Sequence, residues 1–275
     1  MRGGIPMSGG IPMTRAEQLK LLNGRLLREM PEYRAQAAAF SREEAAQRRL
    51  LRSLMNVRPP MALATDFLDL QDEVLAAERE EKGVVEADTL PEVPGHPGIV
   101  LWQGDITRLK ADAIVNAANS ALLGCFVPCH GCIDNAIHSH AGLQLREECR
   151  RLMEEQGHEE PTGQAKITKG YNLPAKYVLH TVGPIIQGQV TEHDRAALAS
   201  CYRSCLALAA EHGLESMAFC CISTGEFRFP NREAAGIAVR TVTEFLQTPT
   251  SIRKVIFNVF KDLDADIYQK LLGTA

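Results

Sequence analysis

The chain has 275 residues, 45% of them hydrophobic and 23% charged, with a formal net charge of -4. That length buries a full core, but no apolar run reaches the roughly 18 residues of a bilayer span, and the negative charge offers nothing to a phosphate backbone. Membrane insertion and bulk nucleic-acid binding are therefore excluded. All eight cysteines fall between Cys125 and Cys221 in a chain too large to need disulfide staples, which predicts a reduced, cytoplasmic protein.

Met1 to Met13 repeats Gly-Gly-Ile-Pro-Met without the cationic end or apolar centre of a secretory signal, and reads as a disordered leader or tag. From Thr14 to about Lys82 the pattern is helical. Thr14 with Glu17 and Ser41 with Glu44 have capping-box spacing, and Leu19, Leu21, Leu22, Leu26 and Leu27 recur at helical intervals. After Pro59 and Pro60 a third helix is predicted over Asp66–Glu81, with Phe67, Leu68, Leu70, Val74 and Leu75 inward. Residues 14–90 thus form a helical extension without a chemical signature. It ends in a linker rich in proline and glycine, Pro91 to Gly98.

In residues 98–275, short β-rich runs alternate with helical patterns. Strands are predicted at Ile99–Gln103, Ala113–Asn116, Ala165–Thr168, Tyr177–Thr181, Met217–Ser223 and Val255–Phe260. Helices are predicted at Asp134–Gln156, His193–His212, Asn231–Leu246 and Asp264–Leu272. Such alternation implies an α/β domain with helices on both faces of a sheet, where ligands bind beyond the carboxyl ends of the strands.

Three loops stand out there. Gln103-Gly104-Asp105-Ile106-Thr107 leaves the first strand, and Asn116-Ala117-Ala118-Asn119-Ser120 leaves the next; each alone reads as a turn or a side-chain cap. Between Cys125 and Cys132 lie three cysteines and a histidine, soft ligands at chelate spacing, just before a helix N-terminus that favours anions. Cys221-Ile222-Ser223-Thr224-Gly225-Glu226-Phe227-Arg228 again empties a strand into a loop, whose small residues let successive N–H groups turn toward an anion.

The cysteine loop has other readings. Pro128-Cys129-His130-Gly131-Cys132 contains the Pro-Cys-x-x-Cys half of a zinc deaminase, but the only His-x-Glu, His158 to Glu160, follows instead of preceding it. Cys129 and Cys132 also have the Cys-x-x-Cys spacing of thiol oxidoreductases. Cys149, Cys201, Cys205, Cys220 and Cys221 sit in apolar runs and read as buried hydrophobes, and His138, His140 and His180 as satisfied histidines.

Taken together the loops resemble the macrodomain family. Asp105-Ile106, the run from Asn116 to Ser120, Ala141-Gly142, Thr162-Gly163-Gln164-Ala165, Tyr177 to Pro184 and Ser223-Thr224-Gly225 occur in the family's order. Where many members carry a run of glycines, this chain has Gly124 to Asn135 with its cysteines and histidine, and Arg228 replaces a second glycine. Both departures, and the helical extension, resemble the zinc-containing branch, whose members are mono-ADP-ribosyl hydrolases.

The resemblance implies a three-layer macrodomain with a mixed central sheet flanked by helices over 98–275, a monomer, and a function in removing mono-ADP-ribose from protein side chains, acidic ones first. Asp105 and the Ile106 N–H would meet adenine. Ser223, Thr224, Gly225, Glu226 and Phe227 would meet the diphosphate and distal ribose, and Cys132, Ile133 and Asp134 would also line the ligand. Zn²⁺ would be held by Cys125, His130 and Cys132 with one position open; Cys129 as a fourth ligand would close the site. Asn119 would hold the distal ribose and Asp134 would orient the attacking water or act as base, with Asn116 structural. The partners are ADP-ribose and a mono-ADP-ribosylated protein, a lipoyl-carrier protein among the candidates. Two alternatives remain open: a non-catalytic ADP-ribose reader with a structural zinc, and an O-acetyl-ADP-ribose deacetylase.

Overall fold

A computed structural model describes residues 13–274, so all but the last residue of the expected leader lies outside the described part. The first helices are α1 (Arg15–Glu29), α2 (Arg34–Ala37), α3 (Glu44–Val57) and α4 (Thr65–Lys82). α1 starts where the capping box predicts: the Glu17 N–H donates to Thr14 Oγ1 and the Thr14 N–H to the Glu17 carboxylate. Leu19, Leu22 and Leu26 are fully buried, each contributing roughly 1.5–3 kcal/mol of apolar burial, whereas Leu21 faces outward. The second box does not form. α3 begins only at Glu44 after an extended Glu43, and the Ser41 carbonyl instead accepts from Gln47 Nε2 at 2.7 Å.

These helices share a small core of their own, joined by Leu143 from the remainder of the chain. The helical segment closes at Lys82. Strand β1 (Val85–Glu86) then pairs in parallel with β3 (Leu109–Lys110), and Ala87 and Val93 enter the larger core, so residues 85–93 pack with the α/β unit.

Six strands build the main sheet: β2 (Ile99–Gln103), β4 (Ala113–Ala117), β5 (Ala165–Lys169), β6 (Tyr177–Thr181), β7 (Ser216–Phe219) and β8 (Lys254–Val259). Their order is β2-β8-β7-β4-β6-β5, all parallel except β5, which runs antiparallel to β6. Helices α5 (Ile133–Ala141), α6 (Leu143–Gln156), α7 (Glu192–Glu211), α8 (Asn231–Leu246) and α9 (Asp262–Leu271) flank it. This is the mixed, helix-flanked central sheet that the resemblance implies.

Two elements differ from expectation. The helix predicted over Asp134–Gln156 breaks into α5 and α6 at Gly142, whose φ of 99° suits glycine. A Cβ there would lie 2.7 Å from Gln71 Nε2 of α4, so the break seats the N-terminal helices against the sheet domain. The strand predicted over Met217–Ser223 ends at Phe219, where its pairing with β8 stops, and Ser223 further on takes a left-handed φ of 65°. The carboxyl ends of β2, β4, β7 and β8 all lie on one edge and deliver the loops that begin at Gly104, Ala118, Cys220 and Phe260.

Candidate active and metal site

The loop from β4 to α5 turns sharply. Gly124 has a φ of 82° and sits so close under the His138 ring that a Cβ would lie 2.9 Å from Cγ. Cys129 adopts a φ of 52°, a left-handed conformation costing a non-glycine residue on the order of 1 kcal/mol. That turn folds His130 back toward Cys125. Cys125 Sγ lies 3.7 Å from His130 Nδ1, and the ligand atoms of Cys125, His130 and Cys132 all lie within 4.8 Å of one another.

Those donors fit a zinc ion. Tetrahedral Zn–S and Zn–N bonds place a sulfur and a nitrogen about 3.6 Å apart, close to the separation found here. Burial, with the neighbouring Cys125 sulfur, pushes the Cys132 thiol up to about 12, so its thiolate needs a local cation. Cys129 is turned elsewhere: its Sγ lies 3.3 Å from Ser53 Oγ and 3.6 Å from the Arg49 carbonyl of α3. It does not close the trio.

Cys132 caps α5, its Sγ accepting from the Asn135 N–H at 3.4 Å. Ile133 and Asp134 supply the first N–H groups of that helix, beside the trio. Asp134 is almost fully buried and is held between two asparagines. Asn116 Nδ2 donates to one carboxylate oxygen at 2.8 Å and Asn119 Nδ2 to the other at 3.3 Å. Burial raises its pKa to about 6, against the opposing effects of the Asn116 hydrogen bond and the Arg146 charge. Asn119 is further fixed by the Gly124 carbonyl at 3.1 Å and by the Ala121 N–H on its own oxygen. The structure therefore brings Asn119, Asp134 and the ligand trio into one corner.

At the other end of the sheet edge, Asp105 accepts from the Thr107 N–H at 2.9 Å and from Thr107 Oγ1 at 2.6 Å. Its second oxygen pairs with Lys82 of α4, and these partners hold the carboxyl below its usual value against burial. Ile106 opens the short 3-10 turn that follows. Phe260, at the end of neighbouring β8, presents an exposed ring.

The last loop runs beside Gly183. A Cβ there would fall 2.0 Å from Ser223 Oγ, so glycine is required for the approach. Thr224 is tied back to the Cys221 carbonyl, while the N–H groups of Gly225, Glu226 and Phe227 find no acceptor among the described residues and remain available to an anion. Arg228 is exposed, with a left-handed φ of 61°. The Glu226 side chain reaches across to His130, with its Oε1 3.7 Å from Nε2, and so links this loop to the ligand trio.

Several residues here carried no usable sequence signal. Lys82, Arg52 and Asn56 come from the helical extension, whose composition offered no chemistry. Arg146 holds the Leu123 carbonyl at 2.7 Å and stacks over Phe126. His138 lies one helical turn after Asp134, with its Nε2 3.5 Å from the carboxylate, a spacing that could have been noticed. His138, Cys149 and His180 also lie within ligand distance of one another. His180, however, is saturated: Asn116 Nδ2 faces its Nδ1 at 3.2 Å and Thr168 Oγ1 its Nε2 at 2.9 Å. Of the apolar-run cysteines, Cys149, Cys201, Cys205 and Cys220 are buried and Cys221 is partly so.

A profile of the macro domain matches residues 115–238, spanning the ligand loop and the Ser223 loop. A Treponema medium protein called protein-ADP-ribose hydrolase is 53% identical over 95% of this chain and 100% of its own length. The chain belongs to the macrodomain family. A Staphylococcus aureus protein of the same name is 50% identical over 80% of this chain and 83% of its own. The crystal structure of a Trypanosoma brucei macrodomain in complex with ADP-ribose superposes with a TM-score of 0.63 at 33% identity, over 80% of this chain and 95% of its own.

Proposed function

We propose that this macrodomain is a zinc-dependent hydrolase that releases ADP-ribose from mono-ADP-ribosylated protein side chains. The observation that carries the reading is the convergence of Cys125, His130 and Cys132 beside the Asn119–Asp134 pair, with Cys129 turned away. Three protein ligands suit a catalytic ion, whereas a structural staple recruits a fourth. Relatives named protein-ADP-ribose hydrolase at 50–53% identity support the same assignment.

Asp105 and Ile106 take the adenine end, and the N–H groups of Gly225, Glu226 and Phe227 the diphosphate. The N–H groups at the start of α5, in Ile133 and Asp134, face the same anion. Asn119 orients the distal ribose. Asp134, fixed by two amide donors, takes the proton of a water whose oxygen bonds to the anomeric carbon, while the bond from that carbon to the protein side-chain oxygen breaks and the modified side chain leaves. Cys125, His130 and Cys132 would hold a zinc ion, which would supply Lewis acidity when bound.

The test is a release assay on proteins carrying ADP-ribose on aspartate, glutamate or serine, with and without chelator. A lipoyl-carrier protein belongs in the panel as a modified carrier, and O-acetyl-ADP-ribose as a competing substrate. Chelator-sensitive release from the acidic linkages is expected. Binding of ADP-ribose without release from any substrate would instead make the chain a reader.

A further inference from the structure

The ligand loop is held in shape by the N-terminal helices. Asn56 of α3 is buried to 1% exposure, and its Oδ1 accepts the Cys129 N–H at 2.9 Å, at the left-handed residue that folds His130 back toward Cys125. Its Nδ2 donates to Ser139 Oγ of α5 at 2.9 Å, which fixes the amide's orientation. One turn earlier, Arg52 donates to the His130 carbonyl at 3.2 Å and to Asn135 Oδ1 at 2.8 Å. Asn135 passes this on, its Nδ2 donating to the Val127 carbonyl at 2.9 Å.

We propose that Asn56 and Arg52 are positioning residues for the metal site, so that the helical extension is a working part of it. The inference rests on the zinc reading of Cys125, His130 and Cys132. An eight-residue loop has many conformations open to it, and in the one found here Cys129 is left-handed and His130 Nδ1 lies 3.7 Å from Cys125 Sγ. Asn56 selects that turn by accepting the N–H that the turn presents, and Arg52 pins the next carbonyl. The bonds that reach the loop itself, at the Cys129 N–H and the His130 and Val127 carbonyls, are all made to its backbone, so the ligand side chains are left free to bind the ion. Outer partners of this kind typically alter metal affinity 10–100-fold.

The experiment titrates metal-free full-length chain with Co²⁺ and reads the thiolate-to-metal charge-transfer band in competition with a chelator. Asn56→Ala is expected to weaken Co²⁺ binding about 10-fold or more. Asn56→Asp keeps an acceptor for the Cys129 N–H and restores most of the affinity. Asn23→Ala serves as the control, because Asn23 is buried inside the extension and its amide bonds Gln47 and no residue of the loop. It should lower the melting temperature and leave Co²⁺ affinity unchanged. Should Asn56→Ala not fold, Arg52→Met carries the same test, with the same loss expected. The proposal is overturned if Asn56→Ala or Arg52→Met binds Co²⁺ as tightly as the parent, or if Asn23→Ala weakens binding equally. Failure of the parent chain itself to bind Co²⁺ would remove the zinc reading along with it.

Discussion

Lys82, the last residue of α4, pairs through its ammonium with the Asp105 carboxylate and lies 3.2 Å from Thr107 Oγ1, so the proposed adenine end of the site is braced from outside the sheet. Both partners are about one-third exposed, which limits the pair to at most ~1 kcal/mol. Lys82→Met should therefore weaken ADP-ribose about 3- to 5-fold by calorimetry. Asp105→Ala, removing a charged acceptor, should cost roughly 10-fold or more. Tighter binding by Lys82→Met would show instead that the lysine competes with the ligand for Asp105.

Cys129 and Cys125 should behave as opposites despite their nearness in sequence. Cys129→Ser is expected to keep one bound zinc and activity within about 2-fold, since its sulfur faces α3. Cys125→Ala or His130→Ala should lose both the metal and release of ADP-ribose, while ADP-ribose binding partly survives. Metal analysis of the purified variants beside the release assay decides this. Loss of zinc from Cys129→Ser would make it a fourth ligand.

Glu226 is exposed, but its contact with His130 places a carboxylate behind a proposed metal ligand. Glu226→Ala should lower zinc affinity by about 10-fold or less, the low end for such partners. Unchanged affinity in a chelator competition would mean that the contact does not orient the imidazole.

Gly183 should tolerate no side chain. Gly183→Ala puts a methyl group into Ser223 Oγ, and overpacking of this kind typically costs 1–3 kcal/mol. A lower melting temperature together with weaker ADP-ribose binding is expected, because the displaced residue opens the anion loop. An unchanged melting temperature would show that Ser223 moves aside freely.

Acid should destabilise the chelated protein. Burial lowers the His180 imidazole from 6.5 to about 3 and holds His138 well below 6.5, so below pH 6.5 the unfolded chain binds protons that the folded chain refuses. The His180 contribution is complete above 6.5 and is lost as pH falls toward about 3, by about 1.4 kcal/mol per pH unit, and His138 acts in the same direction. Asp134 acts in the opposite sense between about 6 and 3.8 and offsets part of the loss. Urea unfolding at pH 7.5 and 5.0 should show the loss, with a shallower slope in His180→Gln. Equal slopes would relieve His180 of that role.

The periodic parts of the sequence were legible because burial dictates them. Leu19, Leu22 and Leu26 announced α1, and the apolar runs announced the strands. The ligand trio was legible because soft ligands at close spacing have few other uses. The Gly142 break was hidden, since a lone glycine in a helical pattern is usually tolerated, and here it was the contact with Gln71 that decided. Lys82, Arg52 and Asn56 were hidden for a related reason. On an amphipathic helix they look like solvated residues, and their partners lie 23 to 83 residues further along the chain.

The three ligands also lie within eight consecutive residues, so closing their loop costs an unfolded chain little entropy. If the trio holds zinc as proposed, the denatured polypeptide would chelate the ion as well, and affinity for the unfolded state would subtract from any stabilisation the ion gives the native one. Added zinc should then raise the melting temperature less than its native affinity alone would imply. The proposed ligands are also complete once the nascent chain has emerged as far as Cys132, before β7 and β8 exist to complete the sheet.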